Sequence, residues 1–284
     1  MTRLFRLLSH LPLALLHVLG AGCGWLVYRL SPGYRGQLDA NLARAMGGSV
    51  PAALRRQAVA EAGKMVFELP KIWCRPHAEV AARVVEVHGW EEAEVAQRAG
   101  RGIIFLTPHL GCFDVSAQYI ATRLPLTVLY RAPKQRWLQP LMEEGRGRGE
   151  RLRLAPADLS GVRKLIGVLR KGGAIGLLPD QAPGAGEGKW LPFFGRPAYT
   201  MTLAARLSET GASVIMVFAE RLPAGRGYRL HFRAPRAAIA GDTVQRAAAI
   251  NREIETLIRE CPQQYLWGYN RYKRPAGAEP MEAT

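Results

Sequence analysis

The stretch from Gly102 to Asp114 constrains this chain more than any other. A short apolar run, Ile103-Ile104-Phe105-Leu106, stops at Thr107-Pro108, a pair that favours extended backbone, and a helical pattern begins after Gly111. The reading is a buried strand that turns into a helix, with His109 on the turn. If the helix starts near Gly111, Asp114 falls in its first turn, where the helix dipole favours a carboxylate and the side chain can reach back. The same alternation recurs along the chain. Val84-Val85-Glu86-Val87, Leu126 to Tyr130, Ala174 to Leu178 and Ser213 to Ala219 read as strands separated by helical segments. An α/β fold follows, with a mixed, largely parallel sheet flanked by helices, and with Tyr228 to Phe232 alternating as an edge strand would.

A parallel sheet has a chemical consequence, because ligand and catalytic groups gather at the carboxyl ends of its strands. His109, Arg131 and the pair Asp180-Gln181 each follow a predicted strand and would meet at one edge. A neutral histidine can take a proton from an alcohol, and a carboxylate on its other nitrogen fixes the tautomer and stabilises the imidazolium. Of the six histidines only His109 has an acid five positions on, namely Asp114. The plainer reading is a helix-capping turn that happens to carry a histidine. Arg131 at a strand end could grip a phosphate or carboxylate bidentately, and a surface charge is the alternative. Trp190 to Phe194 sets Phe193 and Phe194 after the Asp180-Gln181 cluster, as an apolar wall beside it or as ordinary core. The glycines from Gly184 to Gly188 lack the Lys-Ser/Thr of a phosphate-binding loop and read as a flexible active-site loop.

Four stretches resemble one family: His109 to Asp114; Leu30-Ser31-Pro32-Gly33-Tyr34-Arg35 with Asn41-Leu42; Pro179-Asp180-Gln181 with Pro192 to Pro197; and Gln264 to Lys273. In order, and over nearly the whole chain, they are similar to the bacterial late acyltransferases of lipid A biosynthesis, whose H-x4-D motif His109 and Asp114 match. The resemblance implies a glycerolipid acyltransferase-like fold and an O-acyltransferase. Its donor would be a fatty acyl chain on acyl carrier protein, and its acceptor a lipid A precursor carrying Kdo sugars. His109 would be the base and Asp114 its orienting partner. Backbone N–H groups of Gly111 and Cys112 would serve the oxyanion, with Arg131, Asp180, Gln181, Phe193 and Phe194 on the substrates. No metal or organic cofactor is required by that scheme. A lysophospholipid acceptor is the alternative within the class.

The formal charge of +16, from 39 Lys and Arg against 23 Asp and Glu, asks for an anionic partner. No basic run is interleaved with aromatics as in a nucleic-acid module, so the membrane surface and an anionic lipid acceptor are the expected partners. A non-catalytic basic membrane-binding protein is the reading from another class; it leaves His109, Asp114 and Asp180 without a role. Cys23, Cys74, Cys112 and Cys261 are scattered, with no metal-ligand spacing and no disulfide framework. A cysteine hydrolase using Cys112 with His109 is a third reading.

Between Leu7 and Tyr28 there is no Asp, Glu, Lys or Arg, a length that could cross a bilayer at about 1.5 Å per residue. His10, Pro12, His17 and the glycines argue against a deeply apolar span, and Ala21-Gly22-Cys23 hints at a cleaved leader. The preferred reading is an uncleaved anchor or an interfacial helix over residues 1–30, with the acyltransferase domain at 31–273 and a disordered tail at 274–284. An acyl carrier protein donor places the body at the cytoplasmic face of a bacterial inner membrane. Pro51 to Trp73 is a helical prelude to the sheet. Further helices are expected over Gln135 to Gly149, Leu159 to Lys171, Tyr199 to Glu209 and Thr243 to Glu260.

Overall fold

A computed structural model describes residues 2–133, 135–147, 151–184 and 186–280. In chain order the elements are α1 (Thr2–Leu8), α2 (Leu13–Leu30), α3 (Pro32–Ala45), α4 (Ala52–Cys74), α5 (His77–Ala81), β1 (Val84–His88), α6 (Trp90–Ala99), β2 (Ile103–Leu106), α7 (Phe113–Arg123) and β3 (Leu126–Tyr130). They continue with α8 (Gln139–Gly147), β4 (Leu152–Pro156), α9 (Leu159–Arg170), β5 (Ala174–Leu177), β6 (Gly188–Phe193), β7 (Arg196–Met201), α10 (Leu203–Ser208), β8 (Ser213–Arg221), β9 (Tyr228–Arg233) and α11 (Thr243–Glu260).

Seven strands form one sheet in the order β1-β9-β8-β2-β5-β3-β4. From β8 to β4 every pairing is parallel, whereas β9 returns antiparallel to β8 and carries β1 parallel to itself. The central strands β2 and β5 are buried throughout and their side chains alternate between two cores. Ile104, Leu106, Ile175 and Leu177 face a layer that includes α9, α10 and α11. Ile103, Phe105 and Ala174 face one that includes α6 and α7. Burial on both faces explains why these strands read as continuous apolar runs.

Three expected elements differ. Tyr228 to Phe232 is an interior strand, and β1 is the edge; its alternation reports one lightly covered face, where His231 stacks on Phe218 at 4.4 Å. Tyr199 to Met201 belongs to β7, which pairs antiparallel with β6, so the following helix is only Leu203–Ser208. The turn of that hairpin is Phe194-Gly195, both at positive φ, 46° and 72°, the geometry a two-residue hairpin turn demands. The helix expected from Gln135 is Gln139–Gly147, and Arg148 lies outside the described residues. Of the expected disordered tail, Glu279 lies against β6, where the Trp190 indole donates to its carbonyl at 2.9 Å, and Ala278 is buried.

The uncharged N-terminal stretch is two helices, broken before Pro12. One face of α2 packs on α4 through glycines. A Cβ on Gly63 would stand 1.9 Å from the Gly20 carbonyl oxygen, and one on Gly24 would stand 2.5 Å from that of Val59. Gly20 and Gly24, two of the glycines that argued against a deep span, therefore form the close-packed seam with α4. The other face of α2 is apolar and outward, with Val18 69 %, Leu26 56 % and Leu30 73 % exposed.

Candidate active site

The β2–α7 turn is held on both sides by backbone. Thr107 N–H donates to the Leu177 carbonyl, extending the β2–β5 ladder. Gly111 N–H donates to Gln264 O at 3.1 Å, Cys112 N–H to Ala219 O at 2.9 Å, and Leu266 N–H to His109 O at 3.1 Å. Gly111 sits at φ +60°, where a Cβ would meet the Ala219 carbonyl oxygen at 1.9 Å, so only glycine lets β8 approach this closely. These bonds correct the expected oxyanion site, because the N–H groups of Gly111 and Cys112 are already spent inside the fold.

His109 keeps 17 % of its side chain exposed, and its ring is oriented by Asp180. Nδ1 lies 2.8 Å from Asp180 Oδ1, and the His109 backbone N–H donates to Oδ2 at 3.0 Å, so both carboxylate oxygens serve one residue. A carboxylate at Nδ1 requires the Nδ1–H tautomer and leaves Nε2 as an acceptor. The Gln181 amide nitrogen lies 3.1 Å from Nε2 and donates to it. Phe113 packs on the ring at 4.9 Å between centroids. Burial alone would raise the Asp180 carboxyl. The attraction and hydrogen bonds of His109, with the Arg271 guanidinium, carry it below the usual carboxylate range.

Asp114 is placed differently from the expected pairing with His109. Its carboxylate is buried and accepts from the Trp73 indole at 2.9 Å and from Arg146 Nε and Nη2 at 2.8 and 3.2 Å. From the first turn of α7 it faces α4 and α8. The first-turn position was readable from spacing; the competing donors, from elements distant in sequence, were not. Trp73 and Arg146 are the residues the sequence reading passed over, although both close predicted helices.

The parallel sheet brings the ends of β2, β5 and β3 to one edge, as expected. Arg131 there is 64 % exposed, with Glu187 at 4.0 Å, and among the described residues no hydrogen bond or ion pair joins it to His109 or Asp180. Phe193 and Phe194 are core residues: their rings meet edge-to-face at 4.9 Å and Phe194 lies against Trp267. The hairpin turns them inward onto α11, where Glu255 accepts the Phe194 N–H at 2.8 Å. Cys112 is buried, and burial, reinforced by the charge of Glu68, pushes its thiol well above its ordinary value. That suits a packed thiol and not a thiolate nucleophile. Between α7 and the sheet runs an apolar crevice lined by Phe105, Ile120, Leu126 and Val128, with Phe113 and Arg146 also on its wall.

A second buried cluster lies behind the turn. Arg221 donates to both oxygens of Glu68 at 2.8 and 2.6 Å, to Glu61 at 2.5 Å, and to the Gly111 carbonyl at 3.2 Å. His17 of α2 reaches Glu68 at 3.3 Å, and the Tyr228 hydroxyl donates to it at 3.0 Å. Burial favours the protonated Glu68, but the charge and hydrogen bonds of Arg221 outweigh it and hold the carboxyl at about 2.

Residues 2–274 match the family model described as bacterial lipid A biosynthesis acyltransferase. The chain is 28 % identical over 280 residues to a lipid A biosynthesis lauroyltransferase of Escherichia coli, covering 95 % of this chain and 90 % of that protein. It is 28 % identical over 224 residues to a lipid A biosynthesis palmitoleoyltransferase of the same species, covering 77 % and 71 %. A lipid A biosynthesis acyltransferase of Haemophilus influenzae is 27 % identical over 290 residues, covering 98 % and 90 %.

Proposed function

Because the chain belongs to the bacterial lipid A biosynthesis acyltransferase family, we propose that it moves a fatty acyl chain from the thioester of acyl carrier protein to a hydroxyl of a lipid A precursor. The observation that carries this reading is the His109 ring, tautomer-fixed by Asp180 at 2.8 Å with Nε2 left to accept. The acceptor hydroxyl displaces the Gln181 amide from Nε2. As its oxygen bonds to the thioester carbonyl carbon, His109 takes the hydroxyl proton. Collapse of the tetrahedral oxyanion breaks the C–S bond, and the imidazolium returns the proton to the departing thiolate. The displaced Gln181 amide is free to donate to that oxyanion in place of the spent backbone groups. Asp114 acts through Arg146 and Trp73 as a positioning residue for α7. The apolar crevice under α7 takes the acyl chain, and Arg131, exposed at the same sheet edge, meets an anionic part of the substrates.

The outward apolar face of α2 lies in the surface of the inner membrane, with the catalytic edge on the cytoplasmic side where acyl carrier protein is found. A helix with one face packed on charged α4 suits an interfacial position better than a span. The test is acyl transfer by purified protein, with acyl carrier protein carrying different chain lengths and with several lipid acceptors, products being identified by mass. Preferential acylation of a lysophospholipid over lipid A precursors would move the acceptor class.

A further inference from the structure

Apart from the catalytic turn, a polar recess of about 350 Å³ opens between α3, the start of β7 and the segment after Tyr269. It is lined by Gln37, Asn41, Arg44, Arg196, Asn270 and Tyr272, and no acidic side chain contributes to it. Both arginines lie over the Tyr272 ring, their guanidinium carbons 4.8 and 5.2 Å from its centroid. Among the described residues no ion pair engages either of them. Two positive charges fixed on one ring, with no acidic side chain on the recess wall, form a preorganised anion site, since stacking removes much of the freedom an exposed arginine would lose on binding.

Asn41 adds a second requirement. Its amide nitrogen donates to the carbonyls of Trp267 at 2.7 Å and Tyr269 at 2.8 Å, which sets the orientation of the amide. Its Oδ1 is buried without a hydrogen-bond partner. A buried acceptor of this kind is costly unless a ligand supplies a donor. The site thus asks for an anion next to a hydroxyl. It also adjoins the catalytic edge through one segment: the Tyr269 hydroxyl accepts from the N–H of Ala182, the residue after Gln181.

We infer that this recess binds an anionic, hydroxyl-bearing head group of the lipid acceptor, with a phosphate or sugar carboxylate on Arg44 and Arg196 and a hydroxyl on Asn41. The inference rests on the acyltransferase reading and fails separately from it. Initial rates should be measured for the wild type, Arg44→Ala, Arg196→Ala, the double variant and the double lysine variant, with Arg98→Ala on α6 as a control for general charge. Each alanine is expected to raise the acceptor KM about tenfold, and the pair about a hundredfold, as charged hydrogen bonds are lost. The donor KM and the rate at saturating acceptor should hold, lysines should restore part, and Arg98→Ala should change nothing. Acceptor lacking its anionic group should bind wild type and double variant alike. An unchanged acceptor KM in the folded double variant would overturn the inference, as would an equal rise for acceptor without the anion. Inorganic phosphate should compete with acceptor in the wild type only; competition without any effect of the arginines on lipid KM would mark a site for free phosphate instead. Binding to detergent micelles doped with the acceptor gives the same comparison without turnover. Retention of the arginine dependence there, with no transfer by the wild type, would sink the acyltransferase reading and spare the site.

Discussion

Asp180 gives both carboxylate oxygens to His109, and Asp114 gives both of its own to Trp73 and Arg146, so the two acids should fail differently. Asp180→Asn should cut turnover by about a hundredfold or more and change the pH profile, because the group that fixes the tautomer has lost its charge. The depressed Asp180 pKa puts its contribution at full strength above about 3.8, the unfolded value, and it is lost only as pH falls through the lower folded value. Asp114→Asn should lower turnover and also destabilise the fold by about 1–3 kcal/mol, seen as a lower melting temperature, since a largely buried Arg146 loses its carboxylate. Thermal unfolding beside pH–rate profiles separates the two. Cys112→Ala should remain active. The sequence showed His109 and Asp180 as groups at strand ends but could not show that they touch. Their contact depends on β5 lying next to β2, a neighbour relation that local patterns do not encode.

The joint between α2, α4 and the β2–α7 turn is the element on which stability should turn most sharply. Glu68→Gln leaves Arg221 buried with a weakened partner and should cost about 3–5 kcal/mol in chemical denaturation. Glu68 has a lowered folded pKa, so its contribution is complete above about 4.5 and is lost as pH falls through about 2. The acid-denaturation curve of Glu68→Gln should therefore be flatter than that of the wild type between those values. On the outward face of α2, Val18→Glu with Leu26→Glu should weaken binding to anionic vesicles while the soluble rate in detergent is retained. Sedimentation with vesicles gives the measurement, and unchanged binding would remove α2 from the membrane surface. The uncharged run was visible in the sequence. That it is broken at Pro12 and buries Gly20 and Gly24 against Gly63 was not, because glycine spacing alone does not say which helix lies opposite.

For the molecule as a whole, a largely parallel sheet of a basic protein brings His109, Asp180 and Arg131 to one edge, with an apolar crevice beneath α7 and an outward apolar face on α2. The alternation of apolar runs with helical patterns sufficed for that architecture. It missed the β6–β7 hairpin and read Tyr199 to Met201 as helix, because the turn uses Phe194 at positive φ and gave no ordinary turn signal. Ala117 lines the crevice, so Ala117→Leu should shift the preferred donor toward shorter acyl chains, read from product masses with a mixed set of acyl carrier protein thioesters. The role of His109 and Asp180 is tested by single-turnover transfer from acyl carrier protein to a lipid A precursor by the wild type, His109→Ala and Asp180→Asn, each verified as folded. The wild type should yield an acceptor heavier by one acyl chain, and both variants should form it about a hundredfold or more slowly. Transfer at the wild-type rate by folded His109→Ala would contradict that role.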